Sequence, residues 1–212
     1  MFYSKLLLPL AALAACLPLT AATVNVDLSG ATTGTSITAP GASFAQTFAG
    51  QTVVGTGITG TPSSPLVLQP AGSLEVAFWD PVVSPASSSI LPQPNNQAPL
   101  SILFDSDADS VTFTTGSADG GDPLSLRFFD SNGTLVDSLA PVLVSGYSVY
   151  SFAGLPVFRG LTIFNDNDAS GLRFQNISYN ATTAATPEPG YLSAVGLMLI
   201  GLRFILRKRS DN

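Results

Sequence analysis

Short runs that alternate between apolar and polar residues recur along the middle of the chain, and they restrict its fold more than any other feature. Residues 111–114 (Val-Thr-Phe-Thr) and 124–128 (Leu-Ser-Leu-Arg-Phe) alternate with the period of two that places successive side chains on opposite faces of a strand. Between the two ends of the chain, no window has the apolar spacing of an amphipathic helix. The candidate strands are residues 23–28, 43–48, 66–68, 73–79, 100–104, 110–115, 124–129, 135–139, 148–153, 160–164 and 172–179.

Turn-forming residues separate these runs. Asp130-Ser131-Asn132-Gly133 lies between two of them and predicts a β-hairpin. Many short, evenly spaced strands are typical of an antiparallel sandwich, and the missing Cys–Trp–Cys arrangement argues against an immunoglobulin domain. We therefore predict an all-β fold, a jelly-roll-like antiparallel β-sandwich over residues 23–180, flanked by an N-terminal signal helix and a C-terminal transmembrane helix.

Residues 81–99 interrupt the strand pattern. This segment is rich in Pro, Ser and Asn, and it is long for a connection inside a compact domain. We interpret it as a long excursion from one domain. The alternative is a boundary between two domains, each of which would contain few strands.

The first 22 residues have the three parts of a secretory signal peptide. Lys5 precedes an apolar run over residues 6–19, and small residues follow. The run is shorter than the roughly 20 residues of a membrane-spanning helix. We predict export through the general secretion machinery, with signal peptidase cleaving between Ala22 and Thr23. An alternative is lipidation of Cys16, because residues 13–16 resemble a lipobox, although the apolar run continues beyond Cys16.

The last 26 residues have the features of a short membrane anchor. After a small, polar linker (residues 181–186), an apolar stretch of about 17 residues nearly spans a hydrocarbon core as a helix. Arg203 interrupts this stretch near its inner end, from where its side chain can reach the interface. The basic residues Arg207, Lys208 and Arg209 hold the C-terminal end in the cytoplasm, so the preceding domain lies outside it. A plain tail anchor has the same features.

Pro187-Glu188-Pro189, just before the span, is a motif that a plain membrane anchor does not require. Proline restricts its own φ and the residue before it, so Thr186 and Glu188 are held extended outside the membrane. The Pro-Glu-Pro motif, the short span and the Arg-Lys-Arg end resemble the PEP-CTERM sorting signal of Gram-negative bacteria, and the resemblance covers residues 186–212.

That resemblance implies how the protein is sorted. Pro187, Glu188 and Pro189 would be recognised by exosortase, a membrane protease, and the tail would hold the precursor in the inner membrane until it is cut. The product would then reach the cell surface or extracellular matrix, where the family is associated with exopolysaccharide and biofilm. Residues 129–136 and 171–179 also resemble strands of jelly-roll ectodomains in such proteins, which look like carbohydrate-binding modules. Polysaccharide is therefore an expected partner.

The charge of the central segment excludes one class of partner. Residues 23–186 contain twelve acidic residues and three arginines, a formal charge of −9. Such a surface repels phosphate backbones, so we expect no binding to nucleic acid.

Two groups of oxygen-bearing side chains suggest a metal site. Asp105, Asp107 and Asp109 alternate, so in an extended segment they would project to one side and offer hard oxygen ligands to Ca²⁺. Residues 165–168 (Asn-Asp-Asn-Asp) form a second oxygen-rich turn. Ordinary turn chemistry explains both groups as well, and the carbohydrate-binding resemblance places its structural Ca²⁺ near Gln175-Asn176, where no carboxylate stands. We therefore predict no metal or other cofactor, with a structural Ca²⁺ as the alternative.

Four aromatic residues are candidates for a sugar-stacking platform, although aromatic residues on alternating strands more often belong to the core: Phe78, Trp79, Tyr147 and Tyr150.

The residues needed for catalysis are scarce. The chain has no histidine, and after the leader neither cysteine nor lysine occurs before Lys208, so no Ser-His-Asp or Cys-His arrangement can form in the domain. Histidine zinc sites are excluded as well. A glycan hydrolase that uses two carboxylates is the enzymatic alternative, but Glu75 is the one glutamate of the domain. We predict a non-enzymatic exported protein, with a stably anchored protein or lipoprotein as a further alternative.

Overall fold

The computed structural model describes residues 21–79, 87–118, 120–165 and 171–182. Within these ranges every regular element is a β-strand, and the paired strands of the main sheet are antiparallel. The predicted all-β, antiparallel class is therefore confirmed. No helix in the described ranges is long and apolar enough to cross a membrane. The predicted signal and transmembrane helices fall on residues outside these ranges.

Fourteen strands are present in the described residues. They are β1 (Ala22–Asn25), β2 (Ile37–Ala39), β3 (Ala42–Ala45), β4 (Thr47–Phe48), β5 (Gln51–Val54), β6 (Gly57–Gly60), β7 (Leu68–Gln69), β8 (Ser73–Trp79), β9 (Ser87–Gln93), β10 (Leu100–Ala118), β11 (Ser125–Phe129), β12 (Leu135–Leu139), β13 (Gly146–Phe164) and β14 (Arg173–Ala181).

Most of these strands belong to one antiparallel sheet with the order β12-β11-β13-β10-β14-β9-β8. Strand β1 joins β14, β3 joins β10, and β2 joins β3. Two small separate ladders, β4–β7 and β5–β6, complete the strand pairing.

Two 19-residue strands, β10 and β13, connect two halves of this sheet. The first part of β10 pairs with β3 and with the end of β13, whereas its second part pairs with β14 and with the start of β13. Register shifts separate the two parts between Leu103 and Ser110, and such bulges bend a strand without ending it. Sequence reasoning wrongly divided each long strand in two, because aspartates 105–109 and the Gly-Pro segment at 154–156 are typical of turns.

The hairpin predicted at residues 130–133 is confirmed. It joins β11 to β12, and Asp130 Oδ1 accepts hydrogen bonds from the N–H groups of Asn132 and Thr134 at 2.9 and 2.8 Å. Gly133 has a φ of 79°, a value that glycine adopts without strain.

Part of the predicted excursion at residues 81–99 is a strand. Strand β9 pairs with β8 over its whole length, from Trp79↔Ser87 to Ser73↔Gln93. Its apolar residues Ile90 and Leu91 are 0% and 4% exposed. Three serines precede them and obscure this short apolar pair, which is why the composition of the segment indicated a loop.

One apolar core lies beneath both halves of the sheet. Phe104, on the first part of β10, contacts Phe158 and Tyr179 with ring centroids 5.7 and 4.7 Å away. Phe113, on the second part, contacts Phe174 and stacks on Tyr150. Aromatic residues of three strands, β10, β13 and β14, therefore meet in a single cluster.

Candidate functional site

The predicted sorting residues lie outside the described part of the chain. Pro187, Glu188 and Pro189 fall there, as do Arg207, Lys208 and Arg209 and the predicted leader up to residue 20. The structure does place the predicted cleavage residues, Ala22 and Thr23, which begin strand β1.

The two ends of the described domain lie side by side. Ala22 pairs with Ala181, and Thr23 pairs with Asn180. Thr23 Oγ1 donates a hydrogen bond to Asn180 Oδ1 at 2.8 Å, and Thr182 N donates to Asp107 O at 2.8 Å. The residues that adjoin the predicted leader and the predicted linker therefore lie on adjacent strands.

An exposed carboxylate follows β1. Ser29 N donates a 2.9 Å hydrogen bond to Asp27 Oδ1. The backbone bond, followed by the Ser29 hydroxyl, holds the pKa of Asp27 below its ordinary value.

Two of the three alternating aspartates have separate partners. Asp105 Oδ2 accepts a hydrogen bond from Gly41 N at 3.1 Å, and Asp107 Oδ1 lies 3.8 Å from Arg159 Nη1. No group of three carboxylate, thiol or imidazole side chains in the described ranges is close enough to hold a metal ion. These aspartates therefore form no joint metal site in this structure. Asp166, Asn167 and Asp168, from the second candidate group, lie outside the described residues.

The place that the resemblance assigns to a structural Ca²⁺ is an irregular part of strand β14. Gln175 is 5% exposed. Asn176 has a φ of 51° and lies where the β10–β14 pairing shifts register between Thr112 and Thr114. The role of this pair is to form a bulge in the sheet.

The candidate aromatic platform is divided between two environments. Tyr150 is 8% exposed and stacks on Phe113 in the core. Its hydroxyl accepts from Val144 N at 2.9 Å and donates to Val142 O at 3.3 Å, so the core interpretation holds for this residue. Tyr147 is half-buried, and its ring lies against Gly116 on the neighbouring strand. The side chains of Phe78 and Trp79 are outside the described set.

The candidate hydrolase carboxylate, Glu75, is exposed on β8. Its Oε2 accepts a hydrogen bond from Gln93 Nε2 at 3.0 Å. The residues paired with Glu75 and Gln93 are Leu91 and Ser73, so no carboxylate lies directly across the β8–β9 ladder from Glu75.

A surface that sequence reasoning did not identify lies across β13, β10, β14 and β1. Two rows of directly paired residues cross these strands: Ser151, Thr112, Ser178 and Asn25 in one, and Ala153, Ser110, Asn180 and Thr23 in the other. Their neighbours Val111, Phe113, Ile177 and Tyr179 point into the core, so these eight side chains point outward. We call these eight residues the hydroxyl face.

The hydroxyl face is polar but carries no charge. Its members are exposed or half-buried, and they hydrogen-bond to one another: Thr112 Oγ1 lies 2.9 Å from Ser151 Oγ, and Asn180 N donates to Ser110 Oγ at 3.3 Å. In a domain of formal charge −9, such a surface can exchange hydrogen bonds with a neutral, hydroxyl-rich ligand without desolvating a charge. The period-two pattern marks the outward residues of each strand. Only the pairing of distant strands joins them into one surface.

The comparisons with known proteins assign no family. No protein-family model matches the chain, and no curated protein matches it. Among solved structures, a rhamnosidase from Klebsiella oxytoca with rhamnose bound is 17% identical with a TM-score of 0.33, over 54% of this chain and 30% of that one.

Two variants of a family 29 carbohydrate-binding module are 16% and 14% identical, with TM-scores of 0.29 and 0.31. These matches cover 48% and 54% of this chain and 76% and 82% of the modules. The likeness at these scores is too low to assign a fold family or a ligand, and the chain spans only three tenths of the rhamnosidase.

Proposed function

We propose that this protein is an exported, non-enzymatic surface or matrix protein of a Gram-negative bacterium, sorted through its C-terminal tail. The observation that carries this proposal is the sequence of the tail, in which Pro187-Glu188-Pro189 precedes a short apolar stretch that ends in Arg207, Lys208 and Arg209. Because Ala22 and Ala181 are paired, the predicted leader and tail would approach the membrane from the same part of the domain.

The domain is proposed to be a jelly-roll-like β-sandwich. Support comes from β10 and β13, each of which has different neighbours in its two parts while both parts contribute to one core. A sheet that bends across a shared core in this way forms two packed layers.

The first prediction concerns the tail. Changing Glu188 to Ala removes the carboxylate between the two prolines, so the processing protease loses its charged recognition element. We expect the mature wild-type protein, isolated from its native host, to end near Pro189, and the variant to extend to Asn212. Intact-mass spectrometry distinguishes these products directly.

The matched control is Glu75→Ala, which changes the only other glutamate of the chain and lies on an exposed position of β8. This variant should be processed like the wild type. If the wild-type protein itself keeps residues up to Asn212, the tail is an ordinary anchor and the sorting proposal fails. A lipid mass on Cys16 would instead support the lipoprotein alternative.

We further propose that the hydroxyl face contacts neutral polysaccharide. Ser178 lies near the middle of this face, between Thr112 and Asn25. In affinity electrophoresis through gels that contain dextran or hydroxyethylcellulose, Ser178→Asp should bind about tenfold more weakly than the wild type, because it leaves a charge against an uncharged ligand.

The control for this second prediction is Val54→Asp, which adds the same charge at a 60% exposed position of β5. Its mobility shift should match that of the wild type. Equal retardation of Ser178→Asp and wild type would remove the hydroxyl face from the proposal. Retardation only in alginate gels would indicate an anionic ligand and contradict the neutral-glycan assignment.

A further inference from the structure

The peptide bond that signal peptidase is predicted to cut lies inside a strand ladder. Ala22 pairs with Ala181, and Thr23 pairs with Asn180, in the antiparallel pairing of β1 with β14. In such a pairing, successive residues alternate between those that exchange hydrogen bonds with the partner strand and those that do not. Either the carbonyl group of Ala22 or the N–H group of Thr23 is therefore held in the ladder, and the bond between them is part of the folded sheet.

Strand β1 is also held by contacts on either side of its backbone pairing. Thr23 Oγ1 donates a hydrogen bond to Asn180 Oδ1 at 2.8 Å. Val26 N donates to Ile177 O at 2.9 Å, which extends the pairing past the end of β1, and Val24 and Val26 pack against the apolar core. The strand therefore leaves the sheet only if these hydrogen bonds break and apolar surface becomes exposed to water.

The needs of a protease conflict with this arrangement. An extended peptide binds to another protein through its backbone N–H and C=O groups, so the residues around a cleavage site must first be released from other strands. Folded proteins are accordingly cut from locally opened forms. The Ala22–Thr23 bond is therefore a good substrate only while β1 is detached from β14.

The position of β14 in the chain determines when β1 can attach. Thr23 and Asn180 are 157 positions apart, and β14 is the last strand of the described residues. A chain that is exported with its leader first presents β14 after all these other strands. The ladder that encloses the cleavage site therefore forms only when almost the whole domain has been translocated.

We infer that removal of the leader precedes the attachment of β1 to β14, and that folding of the domain ends the period in which the leader can be removed. This order of events rests on the export proposed above. In the cutting step, water adds across the Ala22–Thr23 bond: the C–N bond breaks, Ala22 gains a carboxyl group and Thr23 gains an amino group. Thr23, the new N-terminal residue, then pairs with Asn180.

The test compares two substrates of purified signal peptidase in detergent micelles. One is the folded full-length precursor, and the other is a synthetic peptide of residues 1–30, which contains the bond but not β14. We expect the folded precursor to be cut at least about 50-fold more slowly, because only its opened fraction is a substrate. Mass spectrometry shows whether each product begins at Thr23.

Two outcomes of this comparison have different meanings. Equal cutting rates for the peptide and the folded precursor would overturn the inferred order and leave the predicted leader intact. A peptide that is not cut between Ala22 and Thr23 would contradict the predicted leader itself, and with it the proposed export.

A reversible cross-link tests whether β1 itself must detach. Asn25 and Ser178 are directly paired, at the short Cα separation that a disulfide bond requires. Oxidation of the variant Cys16→Ser/Asn25→Cys/Ser178→Cys would therefore lock β1 onto β14. We expect the oxidised precursor to be cut at least about tenfold more slowly than the reduced form of the same protein, because the cross-link suppresses local opening.

The matched control is Cys16→Ser/Thr52→Cys/Thr59→Cys, which places the same cross-link between the paired strands β5 and β6. Its oxidised and reduced forms should be cut at the same rate. If oxidation also leaves the rate unchanged in the Asn25→Cys/Ser178→Cys variant, the bond is cut while β1 remains in the sheet, and the inference is wrong.

Discussion

Phe104→Ala is expected to lower the free energy of unfolding by about 3–5 kcal/mol, the usual range for truncating a buried phenylalanine. Phe104 is fully buried, and its ring contacts Phe158 and Tyr179. These residues belong to different parts of the sheet, joined through β10. The alanine leaves a cavity where the two halves meet, and the rings of Phe158 and Tyr179 lose their contacts with Phe104. Urea unfolding followed by circular dichroism measures the change.

Val54→Ala is the control for this cavity. Its side chain is 60% exposed on β5, so the truncation should change stability by no more than about 0.5 kcal/mol. A loss below about 1 kcal/mol in Phe104→Ala would mean that the two halves of the sheet do not share one core. The m-value should stay constant in both variants if unfolding remains a two-state process.

The features that were predicted correctly depend on neighbours in sequence. The all-β class follows from period-two alternation, and the hairpin at residues 130–133 follows from the side chain of Asp130 and the φ of Gly133, both of which act within four residues. These signals need no knowledge of the rest of the fold.

The features that were missed depend on strands far apart in sequence. Nothing near Asp105 or Asp107 reveals that their partners are Gly41 and Arg159, so the sequence alone left both turn chemistry and a shared metal ion open for these aspartates. The same holds for the hydroxyl face, where Thr23 meets Asn180 across 157 positions. The sorting residues Pro187 to Pro189 remain a prediction, since they lie outside the described residues.

Adding a methyl group at Gly171 should also have a large effect on stability, because the group would overlap the backbone of a neighbouring segment. Its φ is 75°, and a Cβ there would overlap the carbonyl oxygen of Asn95 and approach Asn96 Cβ to 2.6 Å. Leu172 N donates to Asn96 O at 2.7 Å, which fixes the two segments against each other. We expect Gly171→Ala to lower the unfolding free energy by about 3 kcal/mol or more, from overpacking and left-handed strain together.

Gly55→Ala separates these two causes. Gly55 has a φ of 62°, and a Cβ at this position would have no atom within 4 Å. Its substitution therefore introduces the strain without the overlap and should lower the unfolding free energy by about 1 kcal/mol. Urea unfolding of both variants under one set of conditions gives the difference. A loss at Gly171 no greater than that at Gly55 would mean that the segments at residues 95–96 and 171–172 move apart without resistance. This result would contradict the close packing of the two segments that the Leu172–Asn96 hydrogen bond indicates.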